Sequence, residues 1–227
     1  QWTQSSGAAA SISTPAGPGT TVTGLTTGVY TFTWTISNGP CAPPTTTDQV
    51  PVSGFSASSP NANAGPDQEV CSPPSSATLT GSTPTFPATG QWTQVAGSPA
   101  TIASPTSPTT SITSLAVGVS SFQWTVSNGS CANAVTSDQV NVTVFSGANA
   151  SAFAGPDQNI CSDVTQATMA ANTPTAPATG TWSIQAGTGT IALPNPPTTL
   201  ITGLSVGANR FRWTTSNGPC AGSSTQD

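Results

Sequence analysis

The sequence predicts an all-β chain, a tandem array of seven-stranded β-sandwiches, and three observations carry that expectation. One stretch occurs three times: LTTGVYTFTWTISNGPC at Leu25–Cys41, LAVGVSSFQWTVSNGSC at Leu115–Cys131 and LSVGANRFRWTTSNGPC at Leu204–Cys220. Within each copy, large apolar side chains alternate with small or polar ones. In the first copy Tyr30, Phe32, Trp34 and Ile36 fall on one face, and Thr31, Thr33 and Thr35 on the other. A period of two marks a strand with one buried and one wet face. The spacing is regular as well. Trp2, Trp92 and Trp182 stand 90 residues apart, and Trp34, Trp124 and Trp213 are separated by 90 and then 89. A repeat of that length suits one small sandwich of ~100 residues.

In the complete repeat, 57–146, strand A is expected around Asp67–Val70, after Ala64-Gly65-Pro66. Cys71-Ser-Pro-Pro-Ser then makes a turn, because prolines do not fit a central strand. Strand B is expected at Ala77–Thr80, with Ala77 and Leu79 inward. A loop rich in Thr and Pro leads to strand C, Gln91–Val95, which carries Trp92. A short strand holds Ile102, and strand E holds Ile112, matched by Val22 and Ile201 in the other repeats. Gly118 turns the chain into strand F, Val119–Val126, and Asn128-Gly129 is a turn signal. Strand G is expected at Gln139–Val144, with Val140, Val142 and Val144 inward. Seven short strands with turn chemistry between them read as an all-β sandwich.

Gln1-Trp2 aligns with Gln91-Trp92, and Asp227 with Asp138. The chain is therefore expected to hold a partial sandwich at 1–56 (strands C to G), a complete one at 57–146, and a partial one at 147–227 (strands A to F). That register predicts a stretch of a longer polymer, or strands supplied by a neighbouring chain. Phe55 and Phe145 follow strand G at equivalent places. Both are expected to pack between repeats and stiffen the array.

Composition narrows the function classes. Charged residues make up 4% of the chain, there is no histidine, and the two basic residues are Arg210 and Arg212. A net charge of −5, thinly spread, argues against nucleic acid as a partner. No apolar run approaches the ~18 residues of a membrane span. Without His or Lys, the usual general bases and the Ser-His arrangement are unavailable, so an enzyme is not expected. Asp48, Asp138 and Asp227 share one repeat position, and Asp67 and Asp157 another. Copies of an active site in every repeat are unusual, so these read as structural. Asp67 and Asp138 are the weak calcium candidates, since oxygen-rich sites suit that ion. No cofactor is implied. The six tryptophans, Trp2, Trp34, Trp92, Trp124, Trp182 and Trp213, sit where a sandwich core needs large side chains.

Five cysteines, Cys41, Cys71, Cys131, Cys161 and Cys220, are separated by 30, 60, 30 and 59 residues. Pairing within repeats joins Cys71–Cys131 and Cys161–Cys220 and leaves Cys41 unpaired by truncation. Pairing across repeats joins Cys41–Cys71 and Cys131–Cys161 and leaves Cys220 over. The first scheme is the expected one, because a repeat normally closes its own staple. A ~60-residue loop so closed is worth ~4 kcal/mol in the chain-entropy model. Either scheme implies an oxidising compartment.

Three motifs carry a resemblance: Asn-Ala-Gly-Pro-Asp-Gln followed by Val-Cys (Asn63–Cys71), the Leu-x-x-Gly turn into Trp-Thr-Val-Ser-Asn-Gly (Leu115–Gly129), and Asp-Gln-Val-x-Val-x-Val (Asp138–Val144). Together they resemble PKD-like, immunoglobulin-like repeats of very large secreted surface proteins of Bacteroidetes, including adhesins of the gliding-motility type. The resemblance implies a seven-stranded Ig-like/PKD-like sandwich, export to the cell surface, and a role as spacer or adhesive stalk. Its cysteines depart from antibody-type domains, lying after strands A and F rather than inside B and F. Where better-known PKD domains carry Trp-Asp-Phe-Gly-Asp, this chain has Trp92-Thr-Gln-Val-Ala-Gly.

The expected function is structural: a repeat region of a giant extracellular protein, acting as stalk or filament in adhesion. Its partners would be further repeats of the same longer chain, with surface polysaccharide or like filaments as further candidates. Polysaccharide-binding repeats, or an accessory region of a secreted enzyme, are the alternatives.

Overall fold

The computed structural model describes residues 1–41, 45–58, 60–131, 134–148, 151–220 and 224–226. Every regular element among them is a strand. The first repeat holds β1 (Trp2–Ser6), β2 (Ser11–Ile12), β3 (Val22–Thr23), β4 (Gly28–Ser37) and β5 (Thr45–Gly54). The central repeat holds β6 (Gln68–Ser72), β7 (Ala77–Thr80), β8 (Thr89–Ala96), β9 (Thr101–Ile102), β10 (Thr109–Thr113), β11 (Gly118–Ser127) and β12 (Val135–Ser146). The last repeat holds β13 (Gln166–Ala170), β14 (Thr179–Ala186), β15 (Thr190–Ile191), β16 (Thr198–Thr202), β17 (Arg210–Ser216) and β18 (Ser224–Gln226).

In the central repeat a four-stranded sheet runs β6-β12-β11-β8, and a three-stranded sheet runs β7-β10-β9. Alternation along β11 puts Phe122, Trp124 and Val126 inside, where they meet Val140, Val142 and Val144 of β12. Leu79 and Ile112 come from the other sheet, and Ala64 from the segment before β6. Trp92 and Trp124 stand directly opposite each other across β8 and β11, their rings 5.0 Å apart and tilted by 41°. Such offset contacts add to the area that the rings bury. Gly90 backs this pair: a methyl group there would overlap the Trp124 ring.

The Trp pair recurs in the other repeats, as Trp2 opposite Trp34 and Trp182 opposite Trp213. Each strand-C indole also donates to a proline carbonyl: Trp2 to Pro18, Trp92 to Pro108 and Trp182 to Pro197, at 3.1 to 3.2 Å. β6 runs parallel to β12, from Val142 opposite Gln68 to Ser146 opposite Ser72. The other ladders are antiparallel. The parallel ladder fixes which end of the sheet each cysteine occupies.

Candidate functional site

The candidate site is the junction between successive repeats, and it is built twice from the same residues. The chain leaves β5 through Phe55, Ser56 and Ser58, and at the equivalent place β12 ends with Phe145 and Ser146 and leads to Ala148. Each exit meets the Ser-Asn-Gly turn of the next repeat. At the first junction the Asn128 side-chain amide donates to the Ser56 and Ser58 carbonyls, at 2.7 and 3.2 Å. At the second, Asn217 donates to the Ser146 and Ala148 carbonyls, at 2.5 and 3.0 Å. Asn128 and Asn217 are both buried. A buried amide is costly unless it is satisfied, so these bonds fix how the turn meets the linker.

The glycine after each asparagine takes positive φ, +67° at Gly129 and +58° at Gly218. That conformation suits the turn, and the missing side chain leaves room for a ring. Phe55 lies against Gly129, and Phe145 against Gly218. Phe145 is buried. Both phenylalanines thus sit in the junctions, where stiffening was expected of them. Sequence reading missed Asn128 and Asn217 as junction residues and treated Asn-Gly as turn chemistry alone. Their signal was the recurrence of Asn in every copy, which a turn by itself does not require.

A disulfide joins Cys71 to Cys220, 149 residues apart in sequence. This corrects both pairing schemes: Cys71–Cys131, Cys161–Cys220, Cys41–Cys71 and Cys131–Cys161 do not form. Cys41 and Cys161 are free and exposed, and Cys131 is free and half-buried. The reason is strand direction. β11 ends where β12 begins, with Ser127 opposite Val135. Cys71, on parallel β6, lies opposite Phe145 at the other end of β12. Ten strand residues separate the two stations, about 33 Å at ~3.3 Å per residue. That is far beyond the Cα separation a disulfide spans, which is about 7 Å at most. Cys220 follows the Asn217-Gly218 turn of the next repeat, which docks on the exit end of β12. The bond is therefore a staple across the junction.

The tryptophans divide by repeat. Trp92, Trp124, Trp182 and Trp213 are buried, whereas Trp2 and Trp34 are half-buried. The aspartates weighed for calcium accept hydrogen bonds from backbone. Asp138 Oδ2 accepts from the Ala64 N–H at 2.8 Å, and Asp67 Oδ1 from the Asn141 N–H at 2.8 Å. Each carboxylate thus ties the β6 segment to β12. Asp227, the third-repeat counterpart of Asp138, lies outside the described residues. Among the described residues no group of three or more His, Cys, Asp or Glu side chains comes together, and no helix is long and apolar enough to cross a membrane.

Residues 64–144 match the family model of the K319L-like PKD domain. The solved PKD domain of the KIAA 1837 protein is 30% identical over 47% of this chain and 100% of its own length, with a TM-score of 0.34. The PKD domain of human KIAA0319 is 23% identical over 43% of this chain and 87% of its own, with a TM-score of 0.32. The N-terminal four Ig domains of Dscam1 isoform 6.44 align with 86% of this chain and 53% of theirs, at 13% identity and a TM-score of 0.43. No curated sequence matches the chain.

Proposed function

The chain belongs, through residues 64–144, to the K319L-like PKD domain family, and on that footing we propose that it is a structural region of an extracellular protein, a tandem array of seven-stranded Ig-like/PKD-like sandwiches. Its role is that of a stalk or filament in surface adhesion, of the kind that giant secreted adhesins carry. The observation that supports this most is the pair of matched junctions. Domains joined by short linkers move independently unless something ties them. Here two hydrogen bonds, a ring seated on a glycine and, at the second junction, a disulfide tie them. Repetition of such a junction sets reach and stiffness. The disulfide also supports an oxidising, extracellular setting.

Small-angle scattering on the intact chain tests the reading. The oxidised chain is expected to scatter as an extended rod. Reduction is expected to broaden the distribution at the second junction and leave the first unchanged. A compact or freely jointed oxidised chain defeats the stalk. A glycan array on the same material tests the polysaccharide alternative. The four buried tryptophans of the central and last repeats offer no exposed ring for sugar stacking, so no retention is expected there.

A further inference from the structure

We propose that the Cys71–Cys220 bond is a covalent bypass for tension. A pull along the chain crosses it from the first strand of the central repeat to the turn that follows β17, and the sandwich cores between are left unloaded. The inference concerns any pull on the chain and does not rest on the stalk reading. It begins with what the bond encloses. The two cysteines are 149 residues apart. Strands β7 to β17 all lie between them, and so do the tryptophan pairs at the centre of the central and last repeats. Of the central repeat, only the entry segment and β6 lie before Cys71 or include it. At ~3.3–3.6 Å per residue, the enclosed chain would stretch to about 500 Å if it unravelled. With the bond intact, that length is spanned by one disulfide whose Cα atoms are 5.4 Å apart.

Strand direction puts the bond in the line of pull. The chain enters the central repeat through residues 60–67, and there it is held to β12. Thr136 Oγ1 donates to the Pro60 carbonyl at 2.9 Å and accepts the Ala62 N–H at 3.0 Å. Asp138 Oδ2 accepts the Ala64 N–H, and Asp67 Oδ1 the Asn141 N–H, each at 2.8 Å. β6 then runs parallel to β12, from Gln68 opposite Val142 to Ser72 opposite Ser146. In a parallel pair, a pull that enters at the start of one strand and leaves at the end of the other slides the two strands past each other. Without the disulfide, that shear would fall on the ladder and on the entry bonds. The disulfide anchors the far end of β6, so β6 cannot slide along β12. Residues 60–71 become a strap drawn tight between the incoming chain and Cys220. Cys220 is buried and follows the turn whose Asn217 is bonded to the linker after β12. From Cys220 the pull leaves along the residues that follow it, so the last repeat up to that cysteine is outside the path as well.

Reduction under load provides the test. Peptide mapping without reduction first establishes the Cys71–Cys220 link in the intact chain. Single molecules are then held by their two ends at a constant force. The force is one at which a Cys71→Ser/Cys220→Ser chain, or the wild-type chain reduced beforehand, loses both the central and the last repeat. Each of those cores is built within one repeat, so losing the bond leaves them able to fold. At that force the oxidised chain is expected to stop about 500 Å short of the other two. A small dithiol is then added. Its thiolate attacks one cysteine sulfur, and the other cysteine leaves as a thiolate with the electron pair. The dithiol's second sulfur, as thiolate, closes its own disulfide and frees the first cysteine. The dithiol thus gives up two electrons and the protein bond takes them, while the two thiol protons end on the cysteines. If the cores were unloaded, they are still folded at that moment. The missing length is then expected to appear later, in two separate repeat-sized steps. A single jump of about 500 Å on reduction would mean that the cores had already unravelled inside the loop, and would overturn the proposal. So would a map without the Cys71–Cys220 link, or a reduced chain that stops as short as the oxidised one.

Discussion

The first and central repeats carry nearly the same two long strands, yet they bury them very differently. Ile36 and Val126 are equivalent, but Ile36 is 57% exposed and Val126 is 2% exposed. Val50 is 44% exposed, and its counterpart Val140 is fully buried. The ladders themselves are alike: Trp34 lies opposite Asp48 in one and Trp124 opposite Asp138 in the other. So the hairpin of the last two strands forms from local alternation and a tight turn. Its core does not. Burial comes from residues 61–80, which join strands far away in sequence, and the described first repeat has no such cover. Side-chain alternation chooses a face, and a distant strand pair decides whether that face is dry.

The largest test of this contrast is to remove the same ring in both repeats. Trp124→Ala is expected to cost ~3–5 kcal/mol, as losing a buried Trp does. That approaches the whole stability of a small domain. The Trp124 indole also donates to the Ser82 carbonyl at 3.0 Å, a bond lost with the ring. Trp34→Ala, at a ring only half-buried among the described residues, is expected to cost about half as much, in proportion to the apolar area it buries. Thermal melts of the intact chain should show a separate transition vanish for Trp124→Ala and only shift for Trp34→Ala. Equal losses would mean that the 61–80 cover adds nothing to the core.

A smaller change sharpens the comparison. Val140→Ala deletes two buried methyl groups and is expected to lower stability by about 2 kcal/mol. Val50→Ala at the equivalent half-wet position should stay within about 0.5 kcal/mol, as surface changes do. Denaturant midpoints of the two variants give the ratio directly.

Much of this architecture was legible in the sequence, for reasons that also mark where legibility ended. Expected strand B and β7 coincide at Ala77–Thr80, because a short apolar alternation is bounded by Pro73-Pro74 before it and Gly81 after it. β12 begins at Val135, four residues before the expected Gln139, because its hairpin with β11 continues down to Ser127. No apolar residue marks that continuation beyond Val135, so the pattern alone could not reach it. Ile36 shows the converse: alternation put it inward, yet no described strand covers that end of β4. The disulfide was the real failure. Cysteine spacing gives counts and intervals, but not the end of a sheet at which each thiol stands. That depends on β6 running parallel to β12, a direction that local sequence does not encode. Once the direction is known, the partner of Cys71 has to lie in the next repeat.

The subtlest difference is between the two junctions, and it yields the smallest expected effect. Asn128→Ala and Asn217→Ala each remove two hydrogen bonds to linker carbonyls. The net loss in each case is about 1–2 kcal/mol, taken from docking rather than from the fold of either repeat. At the first junction that loss stands uncompensated, since Cys131 is free. At the second, Cys71–Cys220 holds the surfaces together, so undocking has nowhere to go. Amide exchange across Ser56–Ser58 should therefore quicken in the Asn128→Ala chain. Exchange at Ser146–Ala148 should hardly change in Asn217→Ala while the disulfide is intact. Reduction should then reveal the hidden loss, bringing Asn217→Ala level with Asn128→Ala. If Asn217→Ala quickens exchange fully before reduction, the staple does not hold the junction closed and the asparagine carries the docking alone.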